Sequence, residues 1–148
     1  MKLPDLYQVH PALVHFPIAL LVLGAAVAAA RLRRSSPQWL SLAESGLLWL
    51  GTLAGWLALG FGLLAEKWAP HKPLAWEVLA DHKTLGIWTC GLFSALSLLR
   101  LWTTQRAHDA DRWRGFQLVL WLAGVVLLIA TANHGGMLVY DFGMGLTP

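Results

Sequence analysis

Charge is what this sequence has least of. Asp, Glu, Lys and Arg make up 13% of its 148 residues, against 57% hydrophobic, where a soluble domain carries about 25% charged residues. Four stretches hold no charged residue at all: 16–30, 45–65, 84–99 and 115–140. A bilayer core of about 30 Å takes roughly 20 helical residues. Two of the stretches reach that length unaided, and the others do so once snorkelling Lys and Arg at their ends are counted. This excludes a small soluble domain. It predicts an all-α membrane protein, a single-domain antiparallel bundle of four transmembrane helices over residues 1–148, with spans at about 11–31, 38–66, 82–102 and 113–133.

Other absences narrow the function. Cys90 is the single cysteine, so there is no internal disulfide, and no Cys-x-x-Cys-His exists for covalent haem attachment. The residues before the first apolar run carry too little positive charge for a cleaved signal, so that run is read as a retained span. No ionisable residue falls in the middle of a span and no pair of broken helices offers a substrate site, which argues against transport. No acid–base pair inside a span argues against hydrolysis, so an electron carrier or accessory subunit is expected rather than a stand-alone enzyme. No internal repeat, low-complexity segment or soluble domain is visible.

The few charges that exist are sorted. All seven arginines lie in two connections, Arg31, Arg33 and Arg34 after the first span and Arg100, Arg106, Arg112 and Arg114 between the third and fourth. All four lysines fall on the opposite side with most of the carboxylates, which leaves the arginine side at +4 and the lysine side at −1. The net charge of +3 therefore speaks for topology and anionic lipid rather than for nucleic acid. The positive-inside rule places both arginine connections in the cytoplasm, with the termini and middle loop on the outer, periplasmic side of a bacterial inner membrane.

Prolines and glycines mark the ends. Pro11 suits the first turn of span one, and Pro17 is expected to bend it. The segment Ala69-Pro-His-Lys-Pro73 breaks the chain between spans two and three. Gly51 and Gly55 allow close helix approach or room for a flat macrocycle. Gly135 and Gly136 read as the stop of span four, leaving a tail, 134–148, folded over the outer mouth. Several of the nine Trp sit at span ends, as interfacial anchors do.

The topology collects histidines. His10 and His15 lie at the outer end of span one, His82 at the outer start of span three, His134 at the outer end of span four, and His71 in the outer loop. His108 falls on the cytoplasmic side and is read as an ordinary exposed residue. Imidazole is the commonest metal ligand and an axial ligand of haem iron, and ionisable groups at membrane depth are functional by default. His15, His82 and His134 are the expected ligands, two of them for a haem, which leaves the third open to a quinone or a propionate. His10, about 140° around the helix from His15, is expected to take an auxiliary role toward a quinone or a haem propionate. The cytoplasmic span ends hold no histidine pair, so one b-type haem near the outer face is the most that fits. Copper, with thioether from the three outer methionines, or zinc is the alternative.

Two stretches carry a resemblance: His10-Pro-Ala-Leu-Val-His-Phe-Pro-Ile-Ala-Leu20 and Gly135-Gly-Met-Leu-Val-Tyr-Asp-Phe-Gly-Met-Gly145, with His82 opening span three between them. They resemble the four-helix bacterial membrane family catalogued as domain of unknown function 2231. The resemblance implies respiratory electron transfer or haem binding. The expectation is a small cytochrome-like membrane protein passing electrons between a quinone and an outer redox partner. Its rival is a non-enzymatic accessory or assembly subunit whose histidines bind copper or zinc or are structural.

Overall fold

The computed structural model describes residues 6–33, 36–68, 72–106 and 110–144, with the side chains of 6–8, 68, 110 and 111 left aside. The expectations for Met1, His71, His108 and residues 145–148 lie outside these. The described residues form helices and no strands: α1 (Leu6–Leu13), α2 (His15–Ala30), α3 (Gln38–Trp68), α4 (Trp76–Gln105) and α5 (Ala110–Tyr140), with one 3-10 turn at Pro73–Ala75. The helical stretches Val9–Ala30, Gln38–Lys67, Pro73–Gln105 and Arg112–Tyr140 are each long and apolar enough to cross a membrane.

α1 and α2 are one span with a break. Pro17 has no N–H for the carbonyl of Leu13, so the helix interrupts at Val14 and restarts with Pro17 in its first turn, where no donor is needed. The helix begins at Leu6, five residues ahead of Pro11, so Pro11 is not its first turn. At the other end of the chain, α5 does not stop at Gly135 and Gly136 but runs to Tyr140. The chain turns over only at 141–144, where the amide of Met144 returns to the Leu138 carbonyl. The tail is therefore shorter than 134–148, because the glycines serve a close approach rather than a stop.

The core is made of large side chains let in by missing ones. Trp121, 1% exposed, lies over Gly24, where a Cβ would stand 2.4 Å from Cζ2, and donates Nε1–H to the Leu21 carbonyl at 2.9 Å. Leu21 fills the space beside Gly51 and Phe93 the space beside Gly124, with would-be Cβ distances of 2.6 and 2.7 Å. In each case a residue with a side chain would push the helices apart.

These pairs belong to a repeat that the sequence does not display. α1–α3 and α4–α5 are two hairpins of like construction, their equivalent residues 72 positions apart in the first helices and 73 apart in the second. Leu21 against Gly51 corresponds to Phe93 against Gly124. Arg31 pairs with Glu44, 13 positions on, where Thr103 pairs with Gln117, 14 positions on. Buried Leu48 corresponds to buried Trp121. Both hairpins start and end at the same face, the arrangement of parallel repeats about an axis along the membrane normal. The expectation of no repeat is corrected. Few paired positions share a residue type, His10 and His82, Gly51 and Gly124, and Gly62 and Gly135 among them, so the likeness lies in packing rather than in letters.

The arginine end is also more than a topology signal. Glu44, inside α3 and 4% exposed, is bound by Arg31 and, at 3.2 Å, by Nη2 of Arg100, itself 2% exposed. Arg100 also donates to the Ser45 and Ser41 hydroxyls at 3.0 and 2.9 Å. The expectation that no acid–base pair lies inside a span fails here, because a carboxylate with two guanidinium partners and helix-borne hydroxyls is tolerable where a lone one is not.

Candidate functional site

At the histidine end the hairpins enclose a cavity of about 490 Å³. It runs from Tyr140 and Met144 at the mouth down to Leu21, Phe93 and Leu128, and its wall is chiefly apolar. That is within the roughly 300–1,000 Å³ of cofactor and small-molecule sites.

Two imidazoles meet in it, edge to face. His10 comes from the first hairpin and His82 from the second, with ring centroids 6.0 Å apart and planes at 77°. Each is fixed by the same device. His10 donates Nδ1–H to the Ala58 carbonyl at 2.8 Å, and its ring rests on Gly62, four residues further along α3. His82 donates Nδ1–H to the Thr131 carbonyl at 2.9 Å, and its ring rests on Gly135, four residues further along α5. The separations are 48 and 49 residues. A Cβ at either glycine would stand 3.0 Å from the imidazole Cε1, so the rings lie on the helix backbone only because these positions are glycine.

This fixes the chemistry that each ring presents. A carbonyl accepts and does not donate, so Nδ1 carries the proton and Nε2 holds a lone pair. No hydrogen bond reaches either Nε2 among the described residues. A ligating histidine has the same outer partner, a carbonyl on its second nitrogen.

The other expected ligands are placed differently. His15 is exposed at the cavity's edge, its Nδ1 3.4 Å from the Ala12 carbonyl at the end of α1. His134 donates Nδ1–H to the Ala130 carbonyl of its own helix at 2.9 Å and does not line the cavity. The expected set of His15, His82 and His134 therefore does not converge. His10 takes the place given to His15, because α1 starts early and breaks at Val14. No group of three His, Cys, Asp or Glu placed to hold a metal ion occurs among the described residues. Lys83 also lines the cavity, 2.8 Å from Glu66 across the α3–α4 gap.

A family model described as predicted membrane protein (DUF2231) matches residues 7–148. Neither the curated proteins nor the solved structures contain a match to the chain.

Proposed function

We propose that this chain, which belongs to the family of predicted membrane proteins designated domain of unknown function 2231, binds one b-type haem between His10 and His82 and serves membrane electron transfer. The observation that carries the reading is the imidazole pair: two rings with Nδ1 committed to carbonyls, no hydrogen bond to either Nε2 among the described residues, and an apolar cavity around them. Two metal–imidazole bonds of roughly 2 Å each, added to the distance from each ring centre to its nitrogen, set ring centres on the order of 6 Å apart. The rings of His10 and His82 are 6.0 Å apart.

Once bound, the haem would supply one-electron chemistry. The residues do the rest. His10 and His82 hold the iron from the two hairpins, and the Ala58 and Thr131 carbonyls keep each imidazole in one tautomer and orientation. Leu21, Phe93 and Leu128 keep water from the cavity floor. Lys83 lines the cavity at the α3–α4 edge, where Glu66 holds it. Copper or zinc is the weaker reading, because His10 and His82 have no third donor of the usual kind beside them among the described residues. The distribution of arginine supports a bacterial inner membrane with the histidine end outside. A respiratory partner on that side would complete the path.

The test is an optical spectrum of the purified protein loaded with haem. A Soret band and sharp visible bands are expected, lost in His10→Ala and in His82→Ala and retained in His134→Ala. No Soret band in the parent protein, or bands that survive both substitutions, would overturn the assignment.

A further inference from the structure

The two hairpins are alike in construction, so the places where they differ are informative. The cavity meets two gaps between hairpins at the histidine end, α3 against α4 and α1–α2 against α5. The first is closed. Leu59 packs on α4 at Gly86, where a Cβ would stand 3.6 Å from its Cδ1, and Lys83 pairs with Glu66 at 2.8 Å. In the second gap the counterparts differ. Pro11 stands for Lys83 and Val139 for Glu66, so there is no ion pair. Ala132 stands for Leu59 and Val14 for Gly86, a swap of large for small, and Gly136 stands for the exposed Leu63, so this edge lacks the ion pair and one leucine. Pro11, His15, Ala132 and Tyr140, all exposed, line the cavity along this edge. Pro11, His15 and Ala132 lie within the helical stretches long and apolar enough to cross a membrane.

His15 is the polar group in that slot. Its equivalent in the second hairpin is Ile87, 49% exposed. The hairpin fold is therefore made without an imidazole at this position, and an imidazole turned to lipid is costly where nothing binds it. Its Nδ1 lies 3.4 Å from the Ala12 carbonyl, a contact that favours the proton on Nδ1 and a lone pair on Nε2.

We propose that the slot between α1–α2 and α5 binds the headgroup of a membrane-dissolved hydroquinone, with a headgroup hydroxyl donating to Nε2 of His15. The alkyl tail stays in the bilayer. The flat ring passes between Pro11 and the two small residues, Ala132 and Gly136, toward the His10–His82 pair. A hydroxyl is the group that an imidazole acceptor recognises, and a planar ring is the shape that a slot edged by alanine and glycine takes. The binding stands apart from the haem reading and does not depend on it.

The experiment is calorimetric titration of the full chain in lipid nanodiscs with decylhydroquinone, and with its O,O-dimethyl ether as the ligand without a donor. Saturable one-to-one binding of the hydroquinone is expected, with affinity for the ether at least tenfold lower. His15→Ile, which installs the second hairpin's residue, lowers hydroquinone affinity to the level of the ether, and His15→Gln, which keeps an acceptor, restores part of it. Ala132→Leu closes the slot and abolishes binding of both ligands. Equal binding of hydroquinone and ether, unchanged binding in His15→Ile, or no binding at all overturns the proposal. The same titration on His10→Ala separates the two readings: loss of the haem spectrum with retained hydroquinone binding leaves the slot standing. A protein with no Soret band that binds hydroquinone through His15 sinks the haem assignment only.

Discussion

Gly135 stands where a side chain would strike the His82 ring, its would-be Cβ 3.0 Å from Cε1, and Gly62 stands in the same relation to His10. Adding a methyl at either position presses on the ring, which must shift by a few tenths of an ångström to make room. Overpacking of this kind costs about 1–3 kcal/mol, while Gly→Ala in a helix returns up to about 1 kcal/mol. Gly62→Ala and Gly135→Ala should therefore weaken haem affinity by roughly 5- to 150-fold with little change in the thermal stability of the haem-free protein. Gly60→Ala and Gly91→Ala, where a Cβ meets nothing within 4 Å, are the controls and should leave haem affinity unchanged. Spectrophotometric titration with haem measures all four.

Glu44 holds two guanidinium groups at the opposite end of the bundle, so neutralising it strands buried charge. Glu44→Gln should destabilise the protein by about 3–5 kcal/mol, the usual cost of breaking a buried pair from one side. Glu66→Gln breaks a pair whose side chains are 28% and 39% exposed, and should cost about 0–1 kcal/mol. Denaturant titrations in mild detergent compare the two. A Glu44→Gln effect no larger than that of Glu66→Gln would mean that the Arg31–Glu44–Arg100 cluster does not hold the helices together.

The four spans were legible because absence of charge over about 20 residues is a one-dimensional signal. The meeting of histidines at one face followed from topology, but the pairing did not. An unbroken helix turns His10 away from His15, which gives His10 only an auxiliary role. In the structure His15 is the one at the edge, and the break at Val14 that sets the two rings depends on Pro17 acting within a tertiary context. Gly135 read as a helix stop since glycine costs helix stability, yet α5 continues because His82 occupies the space. A carboxylate seven residues into a greasy helix, as Glu44 is, is itself a sign of buried partners. The repeat was illegible because Leu21 and Phe93, or Arg31 and Thr103, do the same job with different letters.

Trp121 links the hairpins at mid-depth, through its hydrogen bond to the Leu21 carbonyl and its bulk over Gly24. Trp121→Phe removes the donor and part of the volume. A net hydrogen bond of about 0.5–1.5 kcal/mol and a void from the lost ring together predict a destabilisation of about 2–4 kcal/mol. The haem spectrum should keep its shape, because His10 and His82 lean on α3 and α5 and not on Trp121. Thermal unfolding followed by near-ultraviolet circular dichroism gives the first number and the visible bands give the second. A changed spectrum with unchanged stability would reverse the assignment of Trp121 from packing to the site.

The likeness of the hairpins makes a sharper demand on His10 and His82 than either ring makes by itself. Each ring is held by a carbonyl and a glycine four residues apart, so removing either leaves the same imidazole-shaped space over the same kind of backbone. Free imidazole at millimolar concentration should enter both spaces, since each already presents an acceptor to fix its N–H. His10→Gly and His82→Gly should therefore each lose the two-histidine spectrum and each regain it with imidazole, at concentrations within about tenfold of one another, a difference of about 1.4 kcal/mol. His15→Gly and His134→Gly should neither lose the spectrum nor respond to imidazole. Rescue in one variant and not the other would show that the two hairpins, alike in packing, hold their histidines for different purposes.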